Sequence, residues 1–141
     1  MRLIVLDTNV IVSAAINPAG PPARIVADLV LSGLAHAVTS PGVAAEYREV
    51  TRRARFQRYR FPPLWLEFLI EESMLLPEPA PWLHGCSDPK DTQFLVLAQA
   101  SGAWLVTGNL RHFPEAACNG VTVVSPAAYL ARVTGDSDSP A

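Results

Sequence analysis

Apolar residues along this chain come in short unbroken runs, separated by stretches of helical spacing. The run RLIVL at Arg2–Leu6 predicts a strand, followed by a short helix over residues 9–16 that Asn17-Pro18 stops. Residues 22–32 are apolar at helical spacing and Gly33 ends them, while residues 36–39 predict a second strand. Ser40-Pro41 supplies an N-cap and a proline at the first helical position, so a helix is expected from 41 to about 53. An arginine- and aromatic-rich connection at 56–61 leads to Pro62-Pro63, which opens a helix to about 73, and residues 74–77 predict a short third strand. Residues 78–88 read as a loop, and Asp88-Pro89 starts a helix that Gly102 closes. Residues 103–107 and 121–124 predict the fourth and fifth strands, and Ser125-Pro126 caps a last short helix.

Strands of continuous apolar character, alternating with helices, predict an α/β architecture with a parallel sheet covered on both faces. Ligands in such folds sit beyond the carboxyl ends of the strands. Chemistry is therefore expected just after each strand.

Length changes this picture little: 141 residues make one domain, expected over 1–133, and residues 134–141 (TGDSDSPA) have the composition of a disordered tail. Half of the residues are hydrophobic and 17% are charged, which supports a real core and excludes a disordered chain. Cys86 and Cys118 are isolated, without metal-ligand spacing, and read as thiols in a reducing compartment. Asp7 and Asn9 interrupt the apolar amino-terminal stretch, unlike a signal peptide, and no run is long enough to span a membrane. A soluble cytoplasmic protein is expected. Charge is uneven: Arg48 to Arg60 contains six arginines (48, 52, 53, 55, 58, 60) and one acid, a local +5 that leaves −7 on the rest of a chain of net −2. Such a block is either a docking site for something anionic or a solvated helix face and loop.

Three acids stand where acids are costly. Asp7 directly follows the first strand, where it also suits a helix N-cap. Glu46 shares the inward stripe of its helix with Val43, Tyr47 and Val50, and a salt bridge or an edge position would also account for it. Asp91 begins the stripe continued by Phe94, Leu95 and Ala98, and at the third helical position it favours the helix dipole. Asp88 is read as the N-cap of that helix. The only lysine is Lys90, so these carboxylates would repel one another unless a hard divalent cation such as Mg²⁺ or Mn²⁺ resolved the charge. Asn109, in the turn TGN after the fourth strand, is expected to face Asp7 with a neutral oxygen, or to be a simple turn residue. Arg111 and His112 follow it as phosphate contacts, or, for His112, as a turn cap; Trp65, Trp82 and Trp104 read as core.

The stretches LIVLDTNVIVSA (3–14), SPGVAAEYREV (40–50), DPKDTQFLVLAQA (88–100) and LVTGNLRHFP (105–114) resemble the PIN-domain family, in particular the VapC-type toxins of bacterial toxin–antitoxin systems. The resemblance covers most of the chain in order. It implies a three-layer α/β/α fold with a five-stranded parallel sheet of order 3-2-1-4-5. It implies that Asp7, Glu46 and Asp91 are metal ligands and catalytic, and that Asn109 stands at the position of the family's fourth acid. Thr8 and Thr107 would orient the carboxylates. The activity implied is Mg²⁺- or Mn²⁺-dependent cleavage of RNA, with a small antitoxin partner and a homodimer as further expectations. Asparagine at position 109 removes one negative charge, which should weaken binding of a second ion. Arg52, Arg53, Arg55, Arg58, Arg60 and Arg111 are the expected contacts to RNA or antitoxin, with Phe56, Tyr59 and Phe61 interleaved to stack on bases.

Three other readings compete. A haloacid-dehalogenase-type phosphatase needs a second Asp two residues after the first, where this chain has Asn9. A DNA-directed structure-specific nuclease would need more chain. A catalytically weakened PIN-fold module that binds RNA or a protein partner is kept open by Asn109.

Overall fold

The structure, a computed structural model, describes residues 2–78 and 89–133. Expectations for the loop before Pro89, Trp82, Cys86, the Asp88 cap and the tail lie outside those residues. The first elements are β1 (Arg2–Leu6), α1 (Thr8–Ile16), α2 (Pro21–Arg24) running into a π-helical stretch at Ile25–Val30, and β2 (Ala35–Thr39). Next come α3 (Pro41–Thr51), a 3₁₀ segment at Ala54–Tyr59, α4 (Trp65–Glu72) and β3 (Met74–Leu75). After the undescribed stretch follow α5 (Pro89–Ser101), β4 (Trp104–Val106), a 3₁₀ turn at Leu110–His112, α6 (Glu115–Cys118), β5 (Val123–Val124) and α7 (Pro126–Val133). All strand pairings are parallel, in the order β3-β2-β1-β4-β5. The three-layer α/β/α expectation is borne out.

Central position explains the apolar run in β1. Ile4, Val5 and Leu6 are fully buried because helices cover both faces of the strand. Each buried aliphatic side chain of this kind contributes about 1.5–3 kcal/mol of burial free energy. Local chemistry sets the boundaries. The Ser40 hydroxyl accepts from the Val43 amide at 3.2 Å, and Pro41 fills the first turn, so α3 begins directly after β2. The amide of Leu31 donates to Val26 O at 2.8 Å, five residues back, and Gly33 at φ +88° then reverses the chain. A regular α-helix was expected there; its second half is wound more loosely. The helix expected from Pro62-Pro63 begins at Trp65, and Pro63 biases the residue before it away from helical backbone angles. The short α6 and the 3₁₀ turn before it carry no apolar period and were not anticipated. Trp65 and Trp104, expected in the core, are half-buried against it.

One hydrogen bond positions α3. The Tyr47 hydroxyl, fully buried, donates to Leu6 O at 2.5 Å. It fastens the helix to the last residue of β1, so the neighbouring Glu46 is held beside Asp7. Among the described residues no helix is long and apolar enough to cross a membrane.

Candidate active site

The β1–β4 register delivers the first contact. Leu6 pairs with Val106, and the Asp7 amide donates to Val106 O at 2.9 Å. The next residue of each strand, Asp7 and Thr107, therefore stand side by side, and Thr107 Oγ1 donates to Asp7 Oδ2 at 2.8 Å. Asp7 also caps α1, accepting from the Asn9 amide at 3.4 Å and from Asn9 Nδ2 at 3.3 Å. Its N-cap role and its place at the strand end are thus one arrangement. Asn9 Oδ1 in turn accepts from the Gly108 amide at 3.0 Å. A Cβ at position 108 would come to 3.3 Å from that oxygen, a tight contact that glycine relieves.

Glu46 projects from α3 towards the same place. Its Oε2 accepts from Thr8 Oγ1 at 2.6 Å and its Oε1 from Gln93 Nε2, on α5, at 2.7 Å. Gln93 was not anticipated from sequence. It lies 47 positions from Glu46, and no local spacing signals such a pairing. Among the described residues neither Asp7 nor Glu46 forms an ion pair; neutral donors surround both.

Burial therefore dominates the Asp7 carboxyl and raises its pKa. Hydrogen bonds from Thr107 and the Asn9 amide pull it back in part, and the negative charge of Glu46 raises it further. The Tyr47 phenol is also pushed up, by burial first and then by Asp7 and Glu46. Both carboxylates thus act on one small volume beyond the end of β1.

Asp91 lies in the first turn of α5, two residues before Gln93, with its side chain 14% exposed. Its Oδ2 is 3.4 Å from His112 Nδ1. The Asn109 amide donates to Thr107 Oγ1 at 3.0 Å, while its Nδ2 lies 3.0 Å from His112 Nε2. The Asn109 side chain is thus turned to His112, which links it to Asp91, and makes no hydrogen bond to Asp7. Among the described residues no three Asp, Glu, His or Cys side chains are grouped so that they could hold a metal ion. The donor chemistry still suits a hard cation, for Asp7 and Glu46 are two mutually repelling carboxylates that offer oxygen donors.

The arginine segment is partly engaged in structure. Arg48 is bidentate to Glu67 at 2.8 Å, and Arg53 pairs with Glu49 at 3.2 Å. Arg52, Arg55, Arg58, Arg60 and Arg111 are exposed, without ion pairs among the described residues. Phe56 and Tyr59 pack against the buried Phe61, at ring separations of 5.2 and 6.0 Å. Arg55 and Arg58 lie over Phe56 and Tyr59, each 4.8 Å from the ring centroid. These rings anchor the turn and hold the guanidiniums outward; they are not free stacking platforms.

A PIN domain sequence model matches residues 3–111. Comparison with curated proteins found no match. Among solved structures, the chain is similar to one in the DNA-bound VapBC from Salmonella typhimurium, with TM-score 0.63 and 18% identity, covering 89% of this chain and 99% of that one. It is similar to a chain of VapBC2 from Rickettsia felis bound to a promoter DNA fragment, with TM-score 0.57, 16% identity and coverage of 87% and 98%. FitAcB from Neisseria gonorrhoeae gives TM-score 0.57 and 19% identity, with coverage of 88% and 98%. At these identities the likeness is one of fold. The family match spans the ends of β1 and β4, the inward turn of α3 and the start of α5, where Asp7, Asn109, Glu46 and Asp91 stand, and the chain belongs to the PIN domain family.

Proposed function

We propose that this chain is a Mg²⁺- or Mn²⁺-dependent endoribonuclease and the toxin half of a type II toxin–antitoxin pair. The observation that carries the reading is the Asp7–Glu46 pair, two interacting carboxylates at a strand end that meet only neutral donors among the described residues. Asp7, Glu46 and Asp91 would hold the cation. Its chemistry, when bound, is Lewis-acid stabilisation of phosphate charge and a lowered pKa for a coordinated water.

The protein's own residues do the positioning. Thr107 and Asn9 fix Asp7, and Thr8 and Gln93 fix both oxygens of Glu46. Both threonine hydroxyls donate to carboxylates and so fix the orientation of those acids. Hydrolysis by water is the expected route, leaving a 5′ phosphate and a 3′ hydroxyl. Arg52, Arg55, Arg58, Arg60 and Arg111 would meet the RNA backbone electrostatically. Family membership and the likeness to chains of VapBC complexes support an antitoxin partner, and a homodimer in a cytoplasmic setting is proposed with it. Residues 1–133 are proposed as the functional unit.

The test is cleavage of a mixed single-stranded RNA with Mg²⁺, Mn²⁺ or EDTA, beside the Asp7→Asn variant. Cutting that requires metal and disappears in the variant supports the reading. The second reading, a weakened module that binds RNA or protein, is favoured by Asn109, which brings an amide to the place of a fourth acid and turns it to His112. Equal inertness of wild type and variant, with RNA or partner binding intact, would establish it instead.

A further inference from the structure

The opposite edge of the sheet carries a second concentration of unengaged polar groups. Arg2 opens β1, Ala35 opens β2 and Trp104 opens β4, and beneath them lies an open cleft of ≈ 760 Å³. Arg132 and Tyr129 of α7 complete its polar lining, and Leu3, Leu29 and Leu34 give it an apolar wall. The cleft is remote from Asp7: β1 separates them by five residues, about 16 Å at the usual rise of a strand.

Two cations here share one ring. The guanidinium carbon of Arg2 lies 4.7 Å from the Trp104 centroid and that of Arg132 lies 5.1 Å from it. Neither arginine has an ion pair or a side-chain hydrogen bond among the described residues. The indole holds both in place without neutralising them, and it leaves their fork of N–H donors unused.

An independent observation points the same way. Tyr129 is 0% exposed, yet its hydroxyl has no hydrogen-bond partner among the described residues. Its ring packs edge-on against Trp104 at 6.3 Å. A buried hydroxyl left unpaired is uncommon, because its desolvation goes uncompensated. Arg2 is the charged group whose field reaches this phenol.

We propose that this cleft binds a phosphate monoester, its dianion taken by Arg2 and Arg132 and one oxygen hydrogen-bonded by the Tyr129 hydroxyl. The charge decides the class. One arginine suffices for a carboxylate, whereas two guanidiniums without an ion pair among the described residues match a group of about −1.5 to −2 with three strong acceptor oxygens. The wall of Leu3, Leu29 and the 68% exposed Leu34 favours an organic body on the ester over inorganic phosphate. A free nucleotide and the 5′-phosphorylated end of an RNA fragment share this chemistry.

The test is calorimetric titration of the full chain in EDTA, which silences any metal site. The probes are adenosine 5′-monophosphate, adenosine, inorganic phosphate, and a trinucleotide with and without a 5′ phosphate. At least one of the two organic phosphate monoesters should bind, adenosine and the unphosphorylated trinucleotide should not, and inorganic phosphate should bind more weakly than that monoester. Arg2→Gln and Arg132→Gln should each weaken binding roughly tenfold or more. Tyr129→Phe should weaken it severalfold while Tm stays level or rises, which a purely structural tyrosine would not combine. Asp7→Asn should leave it unchanged. If only the 5′-phosphorylated trinucleotide binds, the ligand is an RNA end; if the mononucleotide binds equally well, it is a free nucleotide; both support the site. Absence of binding by either phosphorylated probe at millimolar concentration, or full affinity in both arginine variants and Tyr129→Phe, overturns the proposal.

Discussion

Asp7 works against the stability of the molecule that holds it. Burial raises its carboxyl pKa, Glu46 adds to the rise, and Thr107 and Asn9 offset only part of it. A carboxyl with a folded pKa above its unfolded value holds its proton longer in the native state. It costs nothing at low pH, where both states are protonated, and destabilises progressively as pH rises through the folded value. Asp7→Asn should therefore stabilise the metal-free protein at neutral pH, on the order of 1 kcal/mol. The gain should shrink towards about pH 3, below the ordinary carboxylate range. Urea titrations of both proteins at the two pH values decide this, and the difference includes the relief of the Asp7–Glu46 repulsion. A gain independent of pH would point to packing instead. Gln93 belongs to the same scale. Gln93→Leu should reduce kcat roughly tenfold with little change in KM, because it frees one oxygen of Glu46 without touching the RNA-binding surface. Steady-state cleavage kinetics separate the two parameters.

Elements differ in how openly the sequence announces them. The strands and long helices of this chain were legible, since β1, β2, β4 and α3 are written in apolar runs and in the Ser40-Pro41 cap. The inward stripe of α3 located Glu46, and the end of β1 located Asp7. What stayed hidden depends on contacts between distant residues or on segments too short to show a period. Gln93 finds Glu46 only after the sheet has assembled. The three-residue turn at Leu110–His112 swings His112 back to Asn109 and so redirects an amide that the sequence suggested would face Asp7. The Ala54–Tyr59 segment was legible in charge but not in use, because its aromatic rings pack on Phe61 while Arg52, Arg55, Arg58 and Arg60 project outward. Replacing those four arginines with glutamine should lower the slope of log K against log salt for single-stranded RNA by about 0.7 for each phosphate no longer neutralised. Filter binding across a salt series measures it, and an unchanged slope would assign the segment to another partner.

At the scale of the molecule, fold and metal affinity are one equilibrium. A cation that binds only the native arrangement of Asp7 and Glu46 stabilises that arrangement by mass action. Mn²⁺ should raise the Tm of the wild type and leave Asp7→Asn nearly unmoved. With an amide at position 109 and Asp91 engaged by His112, titration without RNA should saturate at one tight ion per chain. Thermal scans and calorimetry over the same Mn²⁺ range test both statements, and two tight ions in the absence of RNA would refute the second.

The burial of Asp7 among neutral donors also bears on how such a gene decays. Selection for cleavage keeps an acid where folding alone would prefer an amide. Once that selection lapses, the first substitutions to spread should be those that disarm the site, since they also leave the chain sturdier. A random library sorted only for soluble expression should therefore be enriched in changes at Asp7, while Leu6 and Tyr47, on which the fold depends, remain fixed.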